Sequence, residues 1–512
     1  MPYLMGIDIG TTGTKTLIIN EKGEVVGSSN FDHTLQTPAP GWAEQDPAEW
    51  WQAVRNGIPA ALANAGIKAD QVAALGLSGQ MHGSVFLDKN DNVIRPCILW
   101  CDQRTQEQCD WITEKVGKEA LVRETCNPCL TGFTAGKIIW LRQMEPANYE
   151  KVRKVLLPKD YIRLLLTGEY ATEVSDASGT SLLNIRQRRW SKPVLDALGL
   201  DETLLPAVFE SPLVSGKVTA SAAEATGLKA GTPVVGGGGD QAAGAVGNGI
   251  VKTGVVSSTT GTSGVVFAFM DHPEVDPQLR THTFCHAVPC KWHVMGVVLS
   301  AGGSLRWLRD TFAAPEKKLA AQMGVDPYLL LTEEAALAQP GCEGLLFLPY
   351  LTGERTPYPD PHARGVFFGI SLRHARKHFV RAVLEGVAFA LKDSFDVFDR
   401  MGVPMTEIRA SGGGARSPLW RQIQADVTGR PHHTINVEEG PAFGVALLAG
   451  VGAGVFSSVE EACDATISLR SRTDPIPENV ALYQKYHQIY QELYRSLQPR
   501  FAEICQLVAR PG

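Results

Sequence analysis

One pattern occurs twice in this chain, and it limits the folds available more than any other feature. MGIDIGTTGTKTLIIN at 5–20 and GVVSSTTGTSGVVFAF at 254–269 both read as strand, glycine- and threonine-rich turn, strand. A hairpin of one design at the start of each half predicts two domains built on one plan. Length agrees, because 512 residues exceed what a single hydrophobic core usually organises. The expected division is 1–250 and 251–512, joined near Asn248–Gly254 by a short glycine-containing segment that suits a hinge better than a tether.

Within the first half, YLMGIDI, KTLIIN and EVVGSSNF predict a three-strand meander. Asp46-Pro47-Ala48-Glu49 predicts a capping box opening a helix with Trp50, Trp51, Val54 and Ile58. VAALGLS at 72–78 is almost wholly apolar and reads as a buried strand. Strands and helices go on alternating, so the class is α/β. In the second half a long helix is expected around HARKHFVRAVLEGVAFALKDSFDVFDRM, then a strand at 406–411 and a helix ending near Gly429. A last helix over 478–509 repeats Leu482, Tyr486, Ile489, Leu493 and Leu497 at helical spacing and is expected to pack on the second domain.

Composition removes several classes. With 44% apolar and 20% charged residues the chain is globular rather than disordered. A net charge of −6 argues against a phosphate-backbone partner, so no nucleic acid is expected. The densest basic cluster, RQRR at 186–189, reads as a solvated loop. The longest apolar run, GVALLAGVGAGVF at 444–456, is too short to span a bilayer, so no membrane is expected. The opening MPYLMGID lacks a secretory pattern, which places the protein in the cytoplasm. Ten cysteines are ordinary usage for this length, and Cys126–Cys129 lacks a second pair at zinc-finger distance, so reduced thiols are expected. His282, Cys285, His286, Cys290 and His293 look like ligands, but alternation along two strands prevents all five from converging. The sequence leaves room for a homodimer.

The chemistry concentrates in glycine-rich turns. No segment fits GxxxxGK[ST], so a P-loop is excluded. GGGDQA at 237–242 satisfies GxGxxA, yet no acidic residue lies between 241 and 270 to hold a ribose, which leaves an NAD-dependent oxidoreductase a poor second. Amide groups and hydroxyls at Thr11 and Thr12 in one turn, and at Gly261 and Thr262 in the other, can grip phosphates from opposite sides. Asp8 is suited to hold Mg²⁺ through water. Lys15 would add positive charge, with an exposed strand lysine as the alternative. Gly413 and Gly414, after a strand and before a helix, allow close approach of a base or ribose. Asp240 follows four glycines at the end of an apolar strand, where a carboxylate can take a proton from an alcohol attacking phosphorus; a helix N-cap is its other role.

Taken together, GIDIGTTGTK at 6–15, TAGKIIWL at 134–141, LLPKDYIRLLLTGE at 156–169, GGGGDQAAGA at 236–245, STTGTSG at 258–264, RGVFFGISLRHARKHFVRAVLEGVAFAL at 364–391 and SGGGARS at 411–417 resemble the FGGY family of carbohydrate kinases, within the sugar kinase, actin and Hsp70 superfamily. The resemblance implies two ribonuclease H-like domains around a central cleft, ATP and Mg²⁺ in that cleft, and phosphoryl transfer to a small-molecule sugar. SGQMHG at 78–83, ILWCDQR at 98–104, the GERTP loop at 353–357 and FCHAVP at 284–289 resemble the branch acting on D-xylulose. That branch implies sugar contacts from Met81 and His82, a pocket bounded by Trp100 and Asp102, and Asp240 as general base. The alternatives are a family kinase for ribulose, gluconate or glycerol, or an ATPase like actin or Hsp70.

Overall fold

The computed structural model describes residues 2–508. The opening meander forms as expected: β1 (Tyr3–Ile9), β2 (Gly13–Ile19) and β3 (Val25–Asp32) pair antiparallel in sequence. Asp46 then caps α1 (Pro47–Ala65) by accepting from the Ala48 N–H. The other half of the predicted capping box is absent, because Glu49 accepts instead from the Thr34 N–H and fastens the strand exit to the helix. β4 (Val72–Gly79), uncharged throughout, runs parallel to β1 at the centre of the sheet. After α2 (Thr134–Met144) and α3 (Pro158–Thr167) come β5 (Val214–Lys217), β6 (Pro233–Val235) and β7 (Gly238–Gly239). The spatial order is β5-β6-β4-β1-β2-β3, with β7 also pairing with β4.

The helix α4 (Asp240–Gly247) leads to a second sheet on the same plan. β8 (Gly254–Thr260), β9 (Gly264–Met270), β10 (His282–Cys285) and β11 (Trp292–Val298) are antiparallel neighbours. α5 (Gly302–Phe312) and the 25-residue α6 (Arg376–Arg400) follow. β12 (Met405–Ser411) pairs parallel with β8, and after α7 (Pro418–Thr428) β13 (His432–Ile435) pairs parallel with β12. Thus β11-β9-β8-β12-β13 repeats the directions of β3-β2-β1-β4-β6, an antiparallel trio followed by two parallel strands. Beyond α8 (Gly440–Gly452), β14 (Leu469–Thr473) closes the edge. The last helix, α9 (Pro477–Val508), docks on α6 through a His487 Nε2 to Asp393 contact of 2.9 Å; the expected residue 509 lies outside the described residues.

The apolar run at 444–456 supplies most of α8, and its glycine and alanine content has a packing reason. A Cβ at Gly6 would stand 1.8 Å from the Ala442 carbonyl oxygen, and one at Gly76 would stand 2.2 Å from that of Val445. α8 therefore lies directly on the first sheet although it comes from the second half of the chain. It also crosses α4 backbone to backbone, since a Cβ at Gly444 would stand 1.9 Å from the Ala243 carbonyl oxygen. No described helix is long and apolar enough to cross a membrane.

One surface expectation changes, and the expectation that the His/Cys cluster cannot converge holds. Arg188, in the RQRR segment, is half-buried: it pairs with Glu210 at 2.6 Å, donates to the Lys291 carbonyl at 2.8 Å and stacks over Trp292. Arg188 thus ties the two halves together, while Arg186, Gln187 and Arg189 remain exposed as expected of a solvated loop. Phe284 sits opposite His293 and His282 opposite Met295, which puts His282 and His293 on one face of the β10–β11 pair. Cys285 turns the other way, its thiol donating to the Ile185 carbonyl. The rings of His282 and His293 are buried against Phe133, Phe267 and Phe284, and burial holds them neutral.

Gly444→Ala is expected to lower stability by about 1–3 kcal/mol, since the α4–α8 crossing cannot close around a methyl group. The midpoint of urea unfolding measures it, and an unchanged midpoint would rule out backbone contact at this crossing.

Candidate active site

The carboxyl ends of three adjacent strands build the site. Asp8 on β1 lies opposite Ser78 on β4, and on β4's other flank Gly238 of β7 lies opposite the same Ser78. Asp8 and Asp240 therefore bracket the end of β4. Gly237 makes the approach feasible, because it has φ 73° and a Cβ there would stand 1.9 Å from the Leu77 carbonyl oxygen. Burial, and then the charge of Asp8, push the Asp240 carboxyl up to about 7; burial pushes Asp8 up to about 6. Asp8 Oδ1 is buried and has no partner among the described residues. Asp240 opens α4, with Gly239 at the cap position.

Beneath the glycine turn lies a buried charge network. Glu173 accepts from the Gly239 N–H at 3.2 Å, and Ser175 Oγ accepts from the same group at 3.1 Å. Arg163 donates to the Val235 and Gly236 carbonyls, each at 2.6 Å. Lys159 lies 2.7 Å from Asp160, 3.1 Å from Asp176 and 3.6 Å from Glu173, all fully buried. These groups hold the backbone that presents Asp240, so the LLPKDYIRLLLTGE segment acts as a foundation.

Met81 and His82 form a wall beside Asp240. Met81 Cγ lies 2.9 Å from where a Gly239 Cβ would be. His82 has φ 69°, its Nδ1–H donates to the Gly179 carbonyl at 2.7 Å, and its ring stacks on Phe133 at 4.6 Å. Burial and the nearby Lys137 keep the imidazole neutral, which leaves Nε2 free to accept a hydrogen bond. Lys137 was not singled out from the sequence as a site residue. It donates to the carbonyls of His82 and Gly132, each at 2.8 Å, and so fastens the two wall segments together. Its TAGK motif was visible, but the ammonium's destination depends on chain folded in from residue 82.

Trp100 is half-buried, and its indole N–H donates to Thr11 Oγ1 at 3.0 Å, while Thr11 donates to Gln80 at 3.1 Å. Thr11 thus links the first turn to the wall. Asp102 departs from expectation: it is fully buried, and its carboxylate accepts from the Ala43 N–H, the Arg104 N–H and the Arg104 guanidinium. It braces the loop behind Trp100 and has no oxygen to offer a sugar. Lys15 departs as well, because its ammonium is paired with Glu439 at the start of α8.

From Asp240 and Gln241 a cavity of about 920 Å³ runs between the sheets to Gly412, Gly413, Arg416, Arg421, Thr434 and Arg470. That is large enough for a nucleotide. A Cβ at Gly412 or Gly414 would meet Thr260, at 2.7 and 2.6 Å, whereas Gly413 has nothing within 4 Å and faces open space. Thr12 and Thr262 are both exposed. Carbonyls of the Gly261–Thr262 turn accept from Ala301, Gly302 and Gly303 at the start of α5, and Arg306 Nη2 donates to Thr262 Oγ1 at 3.0 Å. Arg306 is a second cation that no sequence motif marked. Met81, His82 and Trp100 are not among the residues lining this cavity; Met81 packs against Gly239, on the other flank of Asp240 from Gln241.

The N-terminal domain model of the FGGY family of carbohydrate kinases matches residues 3–247, and the C-terminal domain model matches 256–453. The chain belongs to the FGGY family of carbohydrate kinases. It is 40% identical to the xylulose kinase of Escherichia coli over 97% of this chain and 100% of that protein. It is 39% identical to the xylulose kinase of Lactococcus lactis over 97% of each chain. A crystal structure of xylulose kinase from Rhodospirillum rubrum superposes with a TM-score of 0.88 at 31% identity, covering 98% of this chain and 100% of that one.

For an FGGY sugar kinase the placement of Asp240 supports a general base, and Asp240→Asn is expected to lower kcat by roughly a hundredfold or more. The kcat/KM of the wild type should rise with pH through about 7, where the carboxyl ionises, and the variant should lose that limb. Because the folded carboxyl binds its proton more tightly than the unfolded one, ionising it costs stability as pH rises. Asp240→Asn is therefore expected to raise the melting temperature at about pH 8 and to match the wild type near pH 4. A variant destabilised at the higher pH would contradict the raised pKa.

Proposed function

We propose that this chain transfers the γ-phosphoryl group of ATP to the C5 hydroxyl of D-xylulose, giving D-xylulose 5-phosphate. The carrying observation is the position of Asp240, which lines a nucleotide-sized cavity and stands next to the wall of Met81, His82 and Trp100. Xylulose kinases match almost end to end at up to 40% identity, whereas the gluconokinase of Bacillus subtilis, matching over a similar span, is 32% identical, which supports this sugar over gluconate.

The residues divide the work. The indole of Trp100 covers a carbon face of the sugar, and neutral His82 accepts a hydrogen bond from a sugar hydroxyl at Nε2. Asp240 takes the proton of the attacking hydroxyl; a carboxyl poised at about 7 is matched to that task at neutral pH. The nucleotide lies in the large cavity, with the base or ribose against Gly412 and Gly413, while Gly414, expected to join them, is buried against Thr260 and Trp420; the phosphates extend toward the turns at Thr11–Thr12 and Gly261–Thr262. Two neighbouring carboxylates, one with an unpartnered buried oxygen, fit a hard cation, and Asp8 would hold Mg²⁺. Such an ion supplies charge neutralisation on the phosphate oxygens. Closing the halves about α4 and α8 excludes water, which competes with the sugar as acceptor.

The reading is tested by ADP release with a panel of ketoses and polyols. D-xylulose should give the highest kcat/KM, ahead of ribulose, gluconate and glycerol; a flat response across the panel would refute it. His82→Ala should raise KM for D-xylulose at least about tenfold, the scale of a lost sugar hydrogen bond, and leave KM for ATP within about twofold. Equal effects on both would remove His82 from the sugar site.

A further inference from the structure

Beside the wall of Met81, His82 and Trp100, the acceptor chamber of the proposed reaction, lies a cation that the mechanism above does not use. Arg355 lies in the loop 352–360 of the second half of the chain and is half-buried. A Cβ at Gly132 would be 4.0 Å from Arg355 Nη2 and 2.6 Å from the Trp100 carbonyl oxygen, which puts the guanidinium at the wall formed by Trp100 and Gly132. Its positive charge also reaches His82 and His282 and disfavours protonation of both rings.

Its backbone neighbours are held firmly. Glu354 Oε1 accepts from the N–H groups of Leu299 and Arg355 at 2.9 and 2.8 Å. On the other side the Thr356 N–H donates to the Val297 carbonyl, the Val297 N–H donates to Thr356 Oγ1, and that hydroxyl donates to the Arg280 carbonyl. Glu354 and Thr356 are buried at 3% and 0% exposure, so residue 355 is fixed from both sides. The guanidinium itself makes no ion pair or hydrogen bond among the described residues. Glu354 makes no ion pair with it: its Oε1 is taken by the two backbone N–H groups, and burial pushes its carboxyl up to about 8. A half-buried guanidinium without a partner, on a loop built to aim it, is expected where a ligand completes the site.

The chamber is also polarised. Asp8 and Asp240 lie at one end. Met81 runs from Gly239 to Gly179, beside the His82 ring, and beyond it lie His82, His282 and Arg355. A ketose whose transferring hydroxyl meets Asp240 presents its carbonyl end to the cationic side.

We infer that Arg355 is a substrate-binding residue contributed by the second half of the molecule, donating hydrogen bonds to the C2 carbonyl and C1 hydroxyl oxygens of the ketose. The inference rests on the D-xylulose reading.

Arg355→Met and Arg355→Lys test this in the full-length protein. Arg355→Met is expected to raise KM for D-xylulose roughly 10- to 100-fold, the span of a charge-assisted hydrogen bond, and to weaken D-xylulose binding measured without nucleotide to the same extent. KM for ATP should stay within about twofold and the melting temperature should be unchanged. Arg355→Lys, which keeps the charge and loses the fork, should fall between. Inhibition by xylitol, which lacks the carbonyl, should be weakened much less by Arg355→Met than D-xylulose binding is. Unchanged D-xylulose binding in both folded variants, or equal losses for xylitol and D-xylulose, would overturn the assignment. A wild type inert toward D-xylulose would instead overturn the substrate reading, and the assignment with it.

Discussion

The structure depends on two helices meeting without side chains between them. α4 and α8 cross where Gly247 faces the Gly440 carbonyl and Gly444 faces the Ala243 carbonyl, and α8 then lies on Gly6 and Gly76 of the first sheet. α4 begins at Asp240, so the crossing fixes both the height and the tilt of the carboxylate. The same two helices join the halves, which places Asp240 at their junction rather than far out on either sheet. Interdigitated large side chains would lock one arrangement, whereas a flat glycine contact permits small sliding at low cost.

Around this crossing, the protein concentrates charge where burial is expensive. Lys159, Asp160, Arg163, Glu173 and Asp176 are all fully buried. Ion pairs at such depth gain little net stability over apolar residues of the same shape. Their directional value is greater, since Glu173 and Arg163 engage backbone groups of a glycine turn that has no side chains of its own with which to hold a shape. The turn needs glycine so that the chain can pass close to Leu77, and the buried charges restore the rigidity that glycine removes.

What could be read from the sequence follows from how local each signal is. The paired hairpins, the cap at Asp46, the buried strand at 72–79 and the long helix at 376–400 are set by turn chemistry and periodicity within a short window, and they appear where expected. Asp240 was legible for the same reason, because four glycines before an acid at a strand end form a contiguous pattern. Asp102, Lys15, Arg188 and Lys137 were misjudged or missed because the partner that decides each role is distant or ambiguous in sequence. Asp102 could face the pocket or turn back to Ala43 and Arg104, and nothing between 98 and 104 says which. Lys15 meets Glu439 more than four hundred positions away, Arg188 meets Lys291, and Lys137 meets His82. A charge acquires its function from its partner, and periodicity carries no information about partners.

The pairing of Asp8 with Asp240 shows why such a site sits at strand ends between two sheets. Each carboxylate alone at the surface would ionise near the ordinary carboxylate range and be a weak base. Burial raises both, and the charge of Asp8 raises Asp240 further. Raised in this way, Asp240 is a competent base near neutrality. A cation held at Asp8 would offset that repulsion and lower the proton affinity of Asp240. The basicity of Asp240 is then set by what occupies the phosphate side of the cleft, which couples proton abstraction to the presence of the phosphoryl donor without any contact between the sugar and the nucleotide-binding residues.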